Sequence, residues 1–231
     1  MRKPSEQEFI HERLGTRFGE ALSMYDTQRR MEILIDEFLP GDTLKGKNAL
    51  DVGTGLGFFA ERMISRGAQV TAVDLGPNLV EQVQRRLLCR AFTADVLFLT
   101  DSFEPNSFDI VLSSECIEHT PDPQAAIAQM LKVLKPGGLL SLSTPNILWY
   151  PLVSLATRLR LRPFAGLENF STFESLRKAI RNNGGFILKE KGLHLVPFQF
   201  GLNSMSQWLD KHCQLVRRAM INLCVLARKI E

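Results

Sequence analysis

Three glycines at alternate positions, Gly53, Gly55 and Gly57, stand in the run Asp51-Val52-Gly53-Thr54-Gly55-Leu56-Gly57, and Asp74 follows twenty-one residues after Gly53. Glycines so spaced let the backbone turn tightly between a strand and a helix and let a ligand lie directly on the main chain. A carboxylate about twenty residues on suits the hydroxyls of a ribose. A second cluster, Glu115, Glu118 and His119, puts two carboxylates and an imidazole within five residues. Such a group either binds a divalent cation or supplies a general base, His119 being suited to the latter because imidazoles titrate near neutral pH.

The glycine turn alone fits two cofactors, because Gly55, Gly57 and Ala60 also satisfy a loose G-x-G-x-x-A dinucleotide pattern. Asp51 separates them. A pyrophosphate wants bare amides at a helix N-terminus, whereas a sulfonium and ammonium ligand tolerates a carboxylate beside it. Asp95 adds an acceptor suited to an adenine amino group, so the acids favour a cationic, nucleoside-bearing ligand over NAD.

Short apolar runs alternate with helical ones after Gly46: Ala49 to Val52, Phe58 to Ile64, Val70 to Val73, Leu79 to Leu87, Phe92 to Ala94, Phe108 to Leu112, Ala125 to Leu134 and Leu139 to Leu142. This order predicts an α/β, doubly wound, mostly parallel sheet with helices on both faces. Ligands in such sheets bind beyond the carboxyl ends of the strands, where Asp51 to Gly57, Asp74, Asp95, Ser114 to His119 and Thr144 to Asn146 fall. Two helices are expected before the core, one starting at the Ser5 to Glu8 capping box and one carrying Met31, Leu34, Ile35, Phe38 and Leu39. Beyond residue 146 the alternation breaks; it resumes with a helix from Thr172 to about Asn183, a strand from Phe186, a helix from about Ser204 to Arg218 and a last strand, Leu223 to Ala227. One domain over 1–231 is expected: a helical lid at 1–45, a cofactor core at 46–146, an acceptor-side insertion at 147–171 and the remainder of the core at 172–231.

Asp51 to Gly57, Ala72-Val73-Asp74, Phe108-Asp109-Ile110-Val111 and Leu134-Lys135-Pro136-Gly137-Gly138 stand in the order of the motifs of class I S-adenosylmethionine-dependent methyltransferases, which this chain resembles. Glu115-Cys116-Ile117-Glu118-His119-Thr120-Pro121-Asp122-Pro123 and Ser143-Thr144-Pro145-Asn146 resemble, more narrowly, the O-methyltransferases of ubiquinone biosynthesis. The resemblance implies a seven-stranded Rossmann-like sheet with S-adenosylmethionine as cofactor. It would set Asp51, Gly53, Thr54, Gly55, Gly57 and Ser114 against the methionyl part, Asp74 and Leu75 at the ribose, and Asp95 and Val96 at the adenine. Arg30, or its neighbour Arg29, would reach the methionine carboxylate. Glu115 and His119 would serve catalysis, and Glu115, Glu118 and His119 would hold Mg2+ if a metal is used. The expected reaction is methyl transfer to a small-molecule acceptor, foremost at a hydroxyl oxygen, with nitrogen or carbon as the alternative acceptor atom and an NAD-dependent oxidoreductase as the remote one.

Acceptor pockets in this fold are built by the N-terminal helices and the insertion, and both carry aromatics here: Phe18 and Tyr25, then Trp149, Tyr150 and Phe164. Arg158-Leu159-Arg160-Leu161-Arg162 beside Trp149 and Tyr150 raises a peripheral membrane contact through 147–165 against the alternative of an ordinary solvated face. A net charge of +3 does not argue for nucleic acid. Nucleic-acid amino-methyltransferases often carry N/D-P-P-Y/F after the fourth strand, where Ser114-Glu115-Cys116-Ile117 stands instead. Four cysteines without a C-x-x-C pair, and no signal-like or membrane-spanning apolar run, lead to the expectation of a cytoplasmic protein with reduced thiols. Nothing in the sequence sets an oligomeric state.

Overall fold

The computed structural model describes residues 23–159, 167–197 and 201–230. The first expected helix, Phe18, Arg160, Arg162 and Phe164 lie outside the described residues.

Helix α1 (Met24–Met31) is capped by Ser23, whose hydroxyl accepts the Asp26 amide, and continues into a π-helical turn, Glu32–Glu37. Then follow β1 (Asn48–Val52), α2 (Phe58–Ser65), β2 (Gln69–Asp74), α3 (Pro77–Arg86), β3 (Arg90–Thr93), β4 (Phe108–Ser114), α4 (Pro123–Val133) and β5 (Leu134–Pro145). The insertion contributes α5 (Tyr150–Arg158), and the chain ends with α6 (Phe173–Asn182), β6 (Gly185–Leu193), α7 (Asn203–His212) and β7 (Asn222–Lys229).

The seven strands form one open sheet in the order β3-β2-β1-β4-β5-β7-β6, parallel throughout except for β7, which runs antiparallel to both β5 and β6. The expected sheet is therefore found. Alternation along the strands sends side chains to opposite faces. Leu50, Val52 and Val111 join the core under α4 and α6, while Ala49, Ile110 and Leu112 join the core under α2 and the turn after α1. The central strands are buried on both sides, which is why they read as continuous apolar runs and not as alternating ones.

The expected helix from Ser204 to Arg218 is corrected to two pieces. Helix α7 ends at His212, and tighter turns cover Gln214–Ala219. The Gln214 side chain accounts for the break: it bonds both the amide and the carbonyl of Gly192 at 3.0 Å, tying the chain to β6 where a continuous helix would carry it away. Among the described residues no helix is long and apolar enough to cross a membrane, and all four cysteines are free thiols.

Candidate active site

The turn after β1 is shaped by its glycines: Gly53, Gly55 and Gly57 have φ of 71°, 52° and 79°. Gly53 also admits no side chain, since a Cβ there would come within 2.6 Å of the Cys116 sulfur. The turn is thus held against the segment after β4, and its amides are tied inward: Gly53 and Thr54 donate to the Val73 carbonyl at 2.9 and 3.0 Å, and Gly57 donates to the Thr54 carbonyl at 2.8 Å. Asp51 is buried (2 % exposed), and its Oδ2 accepts the Thr54 hydroxyl at 2.7 Å. Burial pushes its carboxyl up to about 7, with the hydroxyl only partly offsetting it.

Asp74, at the end of β2, joins two turns. Its Oδ2 accepts the Gly55 amide and its Oδ1 the Gly76 amide, each at 2.9 Å. An ionised carboxylate offers about four acceptor positions, so two remain for hydroxyls after these amides are counted. Leu75 is half-buried behind it. At the next strand end Asp95 caps the turn Val96–Asp101, accepting the Leu97 amide at 2.9 Å, and Val96 is buried beneath.

Arg30 is no solvated helix charge. It is 5 % exposed, and its guanidinium donates to Ser114 Oγ at 2.6 Å across the end of β4 while pairing with Asp26 at 2.9 Å. Burial opposes its charge, but the Asp26 and Glu115 carboxyls outweigh burial and hold it ionised. From Ser114 the polar chain runs on: Ser114 Oγ lies 3.0 Å from Ser143 Oγ, which donates to Glu115 Oε1 at 2.9 Å, and Glu115 Oε2 accepts from Asn222 at 2.9 Å. Arg29 points elsewhere, to Glu32 and to Asp210 at 3.7 Å.

The segment expected to hold a metal is arranged differently, and the Mg2+ expectation does not fit these donors. Glu115 takes a left-handed backbone conformation (φ 51°) and turns both carboxyl oxygens onto Ser143 and Asn222. Glu118 is buried (2 % exposed), accepting from the Thr144 hydroxyl at 3.3 Å; burial, then the nearby Glu115 charge, raise its carboxyl well above the ordinary range. His119 turns its Nδ1 to the Leu167 carbonyl at 3.2 Å, with Nε2 3.9 Å from Glu118. Among the described residues no three His, Cys, Asp or Glu side chains converge as a cation requires.

Of the aromatic lids, Tyr25 on α1 donates from its hydroxyl to the Asn203 carbonyl at 2.9 Å, and Trp149 donates from its indole to the Ala219 carbonyl at 2.9 Å. Tyr150 is exposed, edge-on to Phe170 at 5.6 Å. Asp26, Asn222 and His194 belong to this edge of the sheet although no sequence motif marks them, and Ser143, the first residue of the Ser143-Thr144-Pro145-Asn146 run, joins them there. Because β7 is antiparallel, its first residue, Asn222, pairs with Pro145 at the carboxyl end of β5 and with Leu193 at the end of β6.

The sequence pattern of the family described as methyltransferase domain matches residues 50–142. The chain is 45 % identical over 107 residues to a ubiquinone biosynthesis O-methyltransferase of Xanthomonas campestris pv. campestris, a match that spans 45 % of each protein, hence less than half of that relative's length. It is 32 % identical over 169 residues to the ubiquinone biosynthesis O-methyltransferase of Coxiella burnetii, covering 68 % of this chain and 71 % of that one. Its fold is similar to the crystal structure of an S-adenosylmethionine-dependent methyltransferase from Mesorhizobium loti, with a TM-score of 0.64 at 18 % identity, over 86 % of this chain and 95 % of that one. The chain belongs to the S-adenosylmethionine-dependent methyltransferase family.

Proposed function

We propose that this protein binds S-adenosylmethionine at the carboxyl edge of its sheet and transfers the methyl group to a hydroxyl oxygen of a small-molecule acceptor. The observation that carries the reading is Asp74 clamping the glycine turn and the Gly76 turn together while keeping acceptor capacity for a ribose. Asp51, Gly53, Thr54, Gly55 and Gly57 line the methionyl side with Ser114 and Arg30, Leu75 supports the ribose side, and Asp95 with Val96 flanks the adenine. The names of the two relatives support oxygen as the acceptor atom.

Little covalent chemistry is asked of the protein. The sulfonium is already activated, so the site aligns oxygen, methyl carbon and sulfur in line. The S–CH3 bond breaks as the O–CH3 bond forms, the sulfur leaves as a thioether, and the hydroxyl proton passes to His119 as general base, with Glu115 shaping the field beside it. Tyr25, Trp149 and Tyr150 would line the acceptor side. Exposed Leu152 and Leu155 on α5, with Leu148 before it and Leu159 just after it, support peripheral contact with a membrane through 147–165, which suits a lipid-like acceptor. A cytoplasmic location and the absence of nucleic acid among the ligands are part of the same reading.

Titration calorimetry tests it. S-adenosylmethionine and S-adenosylhomocysteine bind in the micromolar range, and Asp74→Ala weakens both by about a hundredfold, the loss of a charged acceptor from several hydrogen bonds. Tight binding of NADH with no response to either ligand would defeat the proposal.

A further inference from the structure

Helix α1 is tied to the far end of the sheet by contacts that no motif accounts for. His194 follows the last residue of β6, is fully buried, and has a left-handed backbone (φ 61°) fixed in part by its carbonyl, which accepts the Ile221 amide at 3.1 Å. In that conformation its Nε2 meets Asp26 Oδ1 at 2.9 Å. The other oxygen of Asp26 holds Arg30, at 3.1 Å to Nε and 2.9 Å to the terminal nitrogen, and Arg30 reaches Ser114. The Tyr25 ring lies against the His194 ring, 5.9 Å between centroids, and the Tyr25 hydroxyl bonds Asn203.

A guanidinium on a long side chain is a poor recognition group unless its plane is fixed. Asp26 alone, four residues before Arg30 on the same helix, could swing with it. The imidazole supplies the external reference, because β6 and β7 fix its position.

We infer that His194 and Asp26 are positioning residues: they form a buried strut that aims Arg30 at the amino-acid carboxylate of the cofactor, so recognition of that end depends on α1 being docked against His194. The inference rests on the proposed cofactor site and adds to it two residues that touch no cofactor atom.

The test compares two ligands that differ only at the end in question. S-adenosylhomocysteine carries the amino-acid end, and 5′-methylthioadenosine carries the adenosine and thioether without it. In calorimetry on the full chain, His194→Leu and Asp26→Asn each weaken S-adenosylhomocysteine by about tenfold or more while changing 5′-methylthioadenosine by less than about twofold. His194→Gln, which keeps a donor at the reach of Nε2, restores most of the loss. Equal weakening of both ligands, as from a damaged fold, overturns the strut; so does unchanged binding of both, or a Gln variant as weak as the Leu variant. A wild-type protein that binds neither ligand defeats the methyltransferase reading and the strut with it, whereas a wild type that binds both beside unselective variants defeats the strut alone.

Discussion

A Cβ on Gly53 would lie 2.6 Å from the sulfur of Cys116, so the cofactor-side turn and the segment that leads to His119 pack without room for a methyl group between them. Gly53 also holds φ at 71°. Gly53→Ala therefore meets two penalties, a steric one and a backbone one, expected to cost roughly 2–4 kcal/mol together. Thermal melts show the loss, and added S-adenosylhomocysteine no longer raises the melting temperature. Adding Cys116→Gly recovers the steric part and not the backbone part; full recovery would show that the conformation of the turn is unimportant.

Asp51 makes stability and ligand binding respond oppositely to pH. Its folded-state carboxyl is raised by burial from an ordinary 3.8 to about 7, so the folded protein holds this proton more tightly than the unfolded chain. The stability this provides is complete below about pH 4 and is lost as pH rises to about 7, a change on the order of 4 kcal/mol. A ligand ammonium beside Asp51 favours its ionised form, so S-adenosylhomocysteine binding releases a proton and tightens between about pH 6 and about pH 8. Asp51→Asn flattens both profiles. Calorimetry in two buffers of different ionisation enthalpy reads the proton directly, and a wild type that releases none contradicts this role for Asp51.

Removal of divalent cations leaves cofactor binding and turnover unchanged within about twofold, because Glu115 and Glu118 are held by Ser143, Asn222 and Thr144 and, among the described residues, no three His, Cys, Asp or Glu side chains converge to hold an ion. A chelator-treated sample that loses activity and regains it with Mg2+ would show that these side chains rearrange to meet an ion.

Much of the architecture was legible from periodicity. The parallel strands β1, β2 and β4 are buried on both faces, so their apolar runs stand out against the helices, and the residues at their carboxyl ends form the candidate site. Asp51, Asp74 and Asp95 stand at such strand ends. Arg30 was harder: its neighbour Arg29 has the same type on the same helix, and only packing decides which is buried. The reach of β6 to Leu193 was also obscured, because Lys189, Glu190 and Lys191 interrupt its apolar pattern, and so His194 was not seen as a residue at a strand's carboxyl end. Asn222 begins the antiparallel strand, and a rule that looks past the ends of strands does not look at their starts. The arrangement of Glu115, Glu118 and His119 was hidden for a related reason: their proximity in sequence says nothing of the left-handed backbone at Glu115 (φ 51°) or of its two carboxyl oxygens meeting Ser143 and Asn222.

Methyl transfer to a hydroxyl is tested most directly with S-adenosylmethionine labelled in its methyl group, offered to a panel of phenols, catechols and lipid-like hydroxy compounds. Label is expected as an O-methyl ether on at least one hydroxyl acceptor, with equimolar S-adenosylhomocysteine, and His119→Ala slows the transfer by about a hundredfold or more without changing cofactor affinity. Label transferred only to nitrogen or carbon, or a His119→Ala variant as fast as the wild type, would contradict it.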